Sequence, residues 1–154
     1  MASALPLIVL LCLTVGLLNV STAKACPPGW SLCGSRCFIV QARRLTMADA
    51  ERNCIRLGGN LASIHSFSDD SFIRGLIRRA CGSDVRTWIG LFDAIQEGMW
   101  LWTDGSRVVF TRWHSKEPNN SGGKEHCVEI NFRGDYWNDV PCSQRWPSVC
   151  VRRR

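Results

Sequence analysis

Two segments in the first half of the chain repeat apolar residues at helical spacing. Met47, Ala50, Cys54 and Leu57 fall at i, i+3, i+7 and i+10, one face of an amphipathic helix. Thr46 stands where an N-cap belongs, with Asp49 at the capping-box position, and Gly58-Gly59 closes the segment. Ser68 is expected to open a second helix. Asp69 and Asp70 lie in its first turn, Phe72, Ile73, Leu76, Ile77 and Ala80 turn inward, and Arg78 and Arg79 sit in the last turn, where cations favour the helix dipole. Elsewhere the pattern changes to short aromatic or β-branched runs: 37–41, 61–64, 87–91, 99–102, 127–130 and 148–151. Segments rich in Gly, Asn and Asp separate the later runs, and the longest weakly patterned stretch is 103–124. Loops of that length in a small domain are usually functional. The expected fold is α+β, with two helices first, then antiparallel strands and a loop-rich half.

The N-terminus stands apart. Residues 5–20 are almost wholly apolar and uncharged, and they exit through Ser21-Thr22-Ala23-Lys24-Ala25, which offers an A-x-A pattern. A short apolar core with such an exit reads as a secretory signal peptide, here 1–25, with cleavage after Ala23 or Ala25. The run is shorter than the ~20 residues of a spanning helix, and Pro6, Gly16 and Asn19 dilute it. The remaining residues, 26–154, suffice for one domain, expected to be secreted and without a transmembrane anchor.

Of nine cysteines, Cys12 leaves with the leader, so an even number stays: Cys26, Cys33, Cys37, Cys54, Cys81, Cys127, Cys142 and Cys150. In an oxidising compartment that implies disulfides, though spacing leaves their connectivity open. No C-x-x-C and no Cys/His pair at zinc spacing argues for metal clustering instead. The chain carries a net charge of +6, concentrated at Arg43-Arg44, Arg78-Arg79 and 152–154. Such charge suits solvated surface or attraction to anionic surfaces such as sulfated glycans. No nucleic-acid motif accompanies it.

The residues with the clearest chemistry are Glu117-Pro118-Asn119, Glu125 and Asn138-Asp139. Three carboxylates and two carboxamides within little more than twenty residues suit a hard cation such as Ca²⁺, which takes roughly 6–8 oxygen ligands. Cys127 and Cys142 flank the last part of the set and can fix its geometry.

Taken in order, Cys26-Pro27-Pro28-Gly29-Trp30, Trp88-Ile89-Gly90-Leu91, Glu117-Pro118-Asn119 and Trp137-Asn138-Asp139 resemble the C-type lectin domain. The match runs from Cys26 to Cys150, and the layout is similar to small secreted fish lectins related to type II antifreeze proteins. The resemblance implies disulfides Cys26–Cys37, Cys54–Cys150 and Cys127–Cys142. It leaves Cys33 and Cys81 over, to pair with each other or to link two copies as a homodimer. It further implies Ca²⁺ held by Glu117, Asn119, Glu125, Asn138 and Asp139, with Glu117, Asn119, Glu125 and Asn138 also hydrogen-bonding a sugar, and a cis bond before Pro118. Glu-Pro-Asn resembles the arrangement for mannose, glucose, N-acetylglucosamine and fucose. Galactose binders of the family carry Gln-Pro-Asp, usually with an aromatic in the following loop, which 120–124 lacks. An auxiliary calcium site is expected to be weak or absent. Asp93 and Glu97 match two of its ligands, but Asn120 and His126 stand where carboxylates are usual.

Competing readings are weaker. Asn119-Asn120-Ser121 is an N-glycosylation sequon, but a glycan there would block the proposed ligand. Trp88, Trp100, Trp102 and Trp137 follow strand patterns and are expected in the core. His65, His114 and His126 are accompanied by neither H-E-x-x-H nor G-x-S-x-G, so no enzyme is expected. The functional expectation is a secreted, calcium-dependent lectin of mannose type for microbial or host glycans, in innate recognition. The alternatives are an ice-binding protein and a lectin-like toxin or inhibitor of a protein target.

Overall fold

The structure is a computed structural model that describes residues 25–154; the expected leader lies outside them except for Ala25. Along the chain come β1 (Ser31–Cys33), β2 (Arg36–Leu45), α1 (Met47–Arg56), β3 (Asn60–Leu61), α2 (Phe67–Cys81) and β4 (Thr87–Phe92). Then follow β5 (Leu101–Trp102), one 3₁₀ turn (Ser121–Gly123), β6 (Cys127–Phe132), β7 (Tyr136–Val140) and β8 (Trp146–Arg153).

Thr46 caps α1, its hydroxyl accepting from Asp49 N at 3.3 Å. At the other end Gly59 N returns to Cys54 O at 2.9 Å. Gly59 is sterically required, because a Cβ there would lie 2.1 Å from the Val151 carbonyl oxygen of β8. Helix α2 starts one residue before the expected Ser68. Ser66 is its cap, accepting from Asp69 N at 3.1 Å, while the Asp69 carboxylate accepts from His65 N at 3.0 Å. The reciprocal contacts resemble a capping box, with Asp69 reaching one residue further back, to His65 rather than to the cap, and they draw the boundary back. Ile73, Leu76 and Ile77 are buried as the periodicity demands, whereas Ala80, in the last turn, is exposed.

The strands form one sheet in the order β1-β2-β8-β4-β6-β7, with β3 on β8 and β5 on β4. All pairs are antiparallel except β4 with β8, which run parallel at Trp88↔Ser148. The mixed sheet departs from a purely antiparallel expectation. Strands from distant parts of the chain meet there, and short hairpins cannot make that junction. Of the runs at 61–64 and 99–102, only Asn60–Leu61 and Leu101–Trp102 make ladder pairs. Ala62, Ser63 and Ile64 are buried without continuing a strand.

Alternation along the central strands divides the core. Ile89, Leu91, Val128, Ile130, Val149 and Val151 join Ile73 and Ile77 of α2. Their neighbours Trp88, Cys127 and Cys150 instead join Met47, Ala50 and Cys54 of α1. Each helix thus covers one side of the sheet, because successive strand residues face opposite ways. Trp88, Trp102 and Trp137 are core residues as expected; Trp100 is only half-buried.

All three disulfides implied by the resemblance form: Cys26–Cys37, Cys54–Cys150 and Cys127–Cys142. Cys54–Cys150 closes a separation of 96 residues, which a chain-entropy account values at about 4–5 kcal/mol. Among the described residues, Cys33 and Cys81 are unbridged. Cys33 lies beside Arg36 and Asp69 at the start of α2, and Cys81 is the helix's last residue, roughly 18 Å further along its axis. A disulfide needs its Cα atoms within about 7 Å.

Candidate functional site

The loop 103–126 is pinned to the sheet before it reaches the oxygen-rich residues. Trp137 N donates to Arg112 O at 2.8 Å, and His114 N donates to Trp137 O at 2.9 Å, so the loop extends alongside β7. The Arg112 guanidinium grips Asp135, and Trp113 packs on Trp100 with ring centroids 4.9 Å apart. Glu117 N then turns back to His114 O at 2.9 Å, and the Glu117–Pro118 bond is cis.

From there the sequence-predicted residues face one another. Asp139, fully buried on β7, accepts from Asn119 N at 3.1 Å and Asn120 N at 2.7 Å. Asn119 Nδ2 donates to Glu117 Oε1 at 3.2 Å. Ser121 N donates to Asn119 Oδ1 at 3.0 Å and to Glu125 Oε2 at 2.9 Å. Asn120, in the left-handed region at φ 44°, turns its Oδ1 to Glu125 N at 3.2 Å. These contacts bring Glu117, Asn119, Glu125 and Asp139 into one hydrogen-bonded loop.

Charge in that loop is poorly balanced. The Glu117 carboxyl is pushed above its ordinary value first by desolvation, then by repulsion from Asp139 and Glu125. The Glu125 carboxyl is likewise raised by desolvation and by Asp139, against the lowering effect of the Ser121 N–H. Glu117 Oε2 is shielded from solvent beside the Asp139 carboxyl and receives no N–H donor among the described residues. A buried acceptor without a donor is costly, and a bound cation would satisfy it. The donor set therefore fits a hard divalent ion.

Asn138 is oriented by a residue that sequence reading missed. Its Nδ2 donates at 3.2 Å to Oε1 of Glu129, which is fully buried directly across the β6–β7 ladder. Holding the amide nitrogen towards Glu129 directs Asn138 Oδ1 the other way. Burial raises the Glu129 carboxyl, although Asn138 and Arg86 oppose the shift, and the Arg86 guanidinium lies 3.5 Å away. A lone Glu between Val128 and Ile130 looks like an ordinary outward strand position. Only the cross-strand partner reveals its use.

A second cluster lies next door. Asp93, Glu97 and His126 bring one ligand atom each within 4.8 Å of one another; Glu117, Glu125 and Asp139 are not gathered so tightly. His126 Nδ1 is 3.1 Å from Asp93 Oδ1 and 3.4 Å from Glu97 Oε2. Asp93 is buried and also accepts from Gly98 N at 2.8 Å. Desolvation, then Asp93, raise the Glu97 carboxyl. Asn120, expected beside Asp93 and Glu97, has its side-chain oxygen committed to Glu125 N.

Comparison with known proteins gives this arrangement a family. The Lectin C-type domain profile matches residues 43–152, and the chain belongs to that family. It is 43% identical over 129 residues to the galactose-specific lectin nattectin of Thalassophryne nattereri, covering 84% of this chain and 81% of that one. To the type-2 ice-structuring protein of Hemitripterus americanus it is 39% identical, covering 82% and 74%. The solved herring type II antifreeze protein superposes with a TM-score of 0.78 at 31% identity, covering 84% of this chain and 99% of that one. These relatives are named as a lectin and an ice-structuring protein. Among the described residues, no helix is long and apolar enough to cross a membrane.

Proposed function

We propose that the protein is a secreted, calcium-dependent lectin of mannose type. The observation that carries the reading is Glu117 Oε2, buried without a donor beside two further carboxylates. Glu117, Asn119, Glu125, Asn138 and Asp139 would hold Ca²⁺, which when bound supplies open coordination positions for two neighbouring sugar hydroxyls. The chain's own part is to read those hydroxyls. Glu117 and Glu125 only accept hydrogen bonds, whereas the Asn119 and Asn138 amides also donate. Their order around the ion selects the diol. Glu117 ahead of Asn119, with no aromatic residue in 120–124, supports mannose, glucose, N-acetylglucosamine or fucose. Asp93, Glu97 and Asn120 supply at most a weak second calcium site, since His126 replaces a carboxylate there.

Monosaccharide sites of this kind gain useful strength from multivalency. The placement of Cys33 in β1, near the start of α2, and of Cys81 at that helix's end supports their use between chains, in a disulfide-linked homodimer that would engage microbial glycans. The leader expected at 1–25 and the disulfides support an extracellular setting. Retention on immobilised mannose with elution by a chelator tests the proposal. A relative named galactose-specific favours galactose as a second reading, and elution by galactose but not mannose would select it. Thermal hysteresis without sugar retention would select ice, as the ice-structuring relatives suggest.

A further inference from the structure

A cleft of about 860 Å³ opens at the far end of β2 and β8, and none of the proposed calcium or sugar residues lines it. Its walls include Arg36, His65, Asp104, Arg152 and Arg153. Arg36 and Arg153 are direct cross-strand partners in the β2–β8 ladder, so two guanidinium groups share one face. Like charges directly opposite destabilise a sheet unless a counter-ion joins them. Arg36 is engaged by Asp69 at 2.7 Å and by Ser63, and it closes one wall. Arg152 and Arg153 have no carboxylate partner among the described residues. Arg152 lies over the Trp30 ring at 5.7 Å, and its Nε is buried without an acceptor.

The acidic groups nearby are already used. Burial works to raise the Asp104 carboxyl, but hydrogen bonds from Ser106 and Ser63 hold it below the ordinary range, and Asp69 serves Arg36. The His65 imidazole is pushed down by burial, then by Arg36, both of which disfavour its cationic form, so the arginines are the cleft's positive groups. The rest of the lining is Arg154 with Ser, Gly, Asn and Val, without Phe, Tyr or Trp. Bases of a nucleic acid would find no stacking platform. A cleft of this volume holds a ligand of several rings, and guanidinium forks match oxyanions bidentately.

We propose that this cleft is a second, calcium-independent binding site for a sulfated oligosaccharide, with sulfate groups on the cross-strand pair Arg36 and Arg153 and, from the rim, on Arg152, and hydroxyls on the Ser and Asn rim. The test is calorimetric titration of the disulfide-intact protein with a heparin hexasaccharide at about 0.15 M salt, in a chelator. Binding is expected to persist in the chelator, to fall about tenfold or more in Arg152→Ala/Arg153→Ala, and to vanish with the desulfated hexasaccharide. Arg43→Ala/Arg44→Ala removes the same charge from the other end of β2, roughly 20 Å away, and is expected to cost less than about twofold by screening over that distance. Equal losses in the two double variants would reduce the effect to diffuse attraction and overturn the site. Absence of binding in the chelator, or undiminished binding of the desulfated sugar, would overturn it too.

Discussion

Two neighbouring acidic clusters differ in how their charge is met. In the Asp93–Glu97–His126 cluster an imidazole nitrogen stands within 3.4 Å of both carboxylates, and a backbone N–H serves Asp93. The Glu117–Glu125–Asp139 loop has amides and backbone N–H groups but no cationic side chain in contact, and one buried carboxylate oxygen remains bare. The first cluster has an imidazole beside its carboxylates, while the second, on the reading proposed above, is completed by a cation from outside.

The largest effect is expected from Asp139→Ala. It removes a proposed ligand and the clamp on Asn119 N and Asn120 N. Calcium affinity measured by titration should fall by more than about 100-fold, beyond the range for loss of an outer partner, while near-UV dichroism retains the signature of the disulfide-tied core. Retained calcium-dependent sugar binding would refute the site. Next, Glu117→Gln with Asn119→Asp should transfer preference from mannose to galactose in competition assays; unchanged selectivity would mean that these residues do not read the sugar.

Glu129 gives a finer probe. Glu129→Leu should lower calcium affinity by roughly 10–100-fold, as for other groups that orient metal ligands, because Asn138 loses its acceptor. Glu129→Gln keeps an acceptor oxygen and should restore most of the affinity. In the opposite direction, His126→Asp should convert the neighbouring cluster into a second calcium site, raising the stoichiometry from one ion to two.

Acidification should show the smallest change, with a definite sign. The Glu117 and Glu125 carboxyls are raised, so they take up protons above the ordinary carboxylate value of ~4.3. Protons compete with the cation, and calcium affinity should begin to fall above that pH. Without calcium, a raised carboxyl favours the fold at low pH, and that contribution is lost as pH rises through its native value. In a chelator, Glu117→Gln should therefore raise the melting temperature at neutral pH, and the gain should shrink on acidification. A gain that grows on acidification would contradict the charge account.

Local rules carried much of the fold from sequence. The Thr46 cap and the apolar face of α1 were readable because each depends on residues within a turn or two. Ser66 was missed in favour of Ser68, since two serines precede the same aspartates and only the reciprocal contacts of Asp69 distinguish them. The disulfides were inaccessible to cysteine arithmetic and came through the family resemblance. Asp70 looked like a first-turn helix charge, yet it is buried and accepts from Trp137 Nε1 at 2.8 Å. Glu129 and the arginine cleft share that reason for escaping notice: each is defined by a partner brought across the sheet, which no linear pattern encodes.

The most direct test of the central claim is a glycan array probed with the intact protein in calcium and again in chelator. The account predicts signals on mannose, glucose, N-acetylglucosamine or fucose that exceed those on galactose and disappear with the chelator. Signals on those neutral sugars that survive chelation would contradict it.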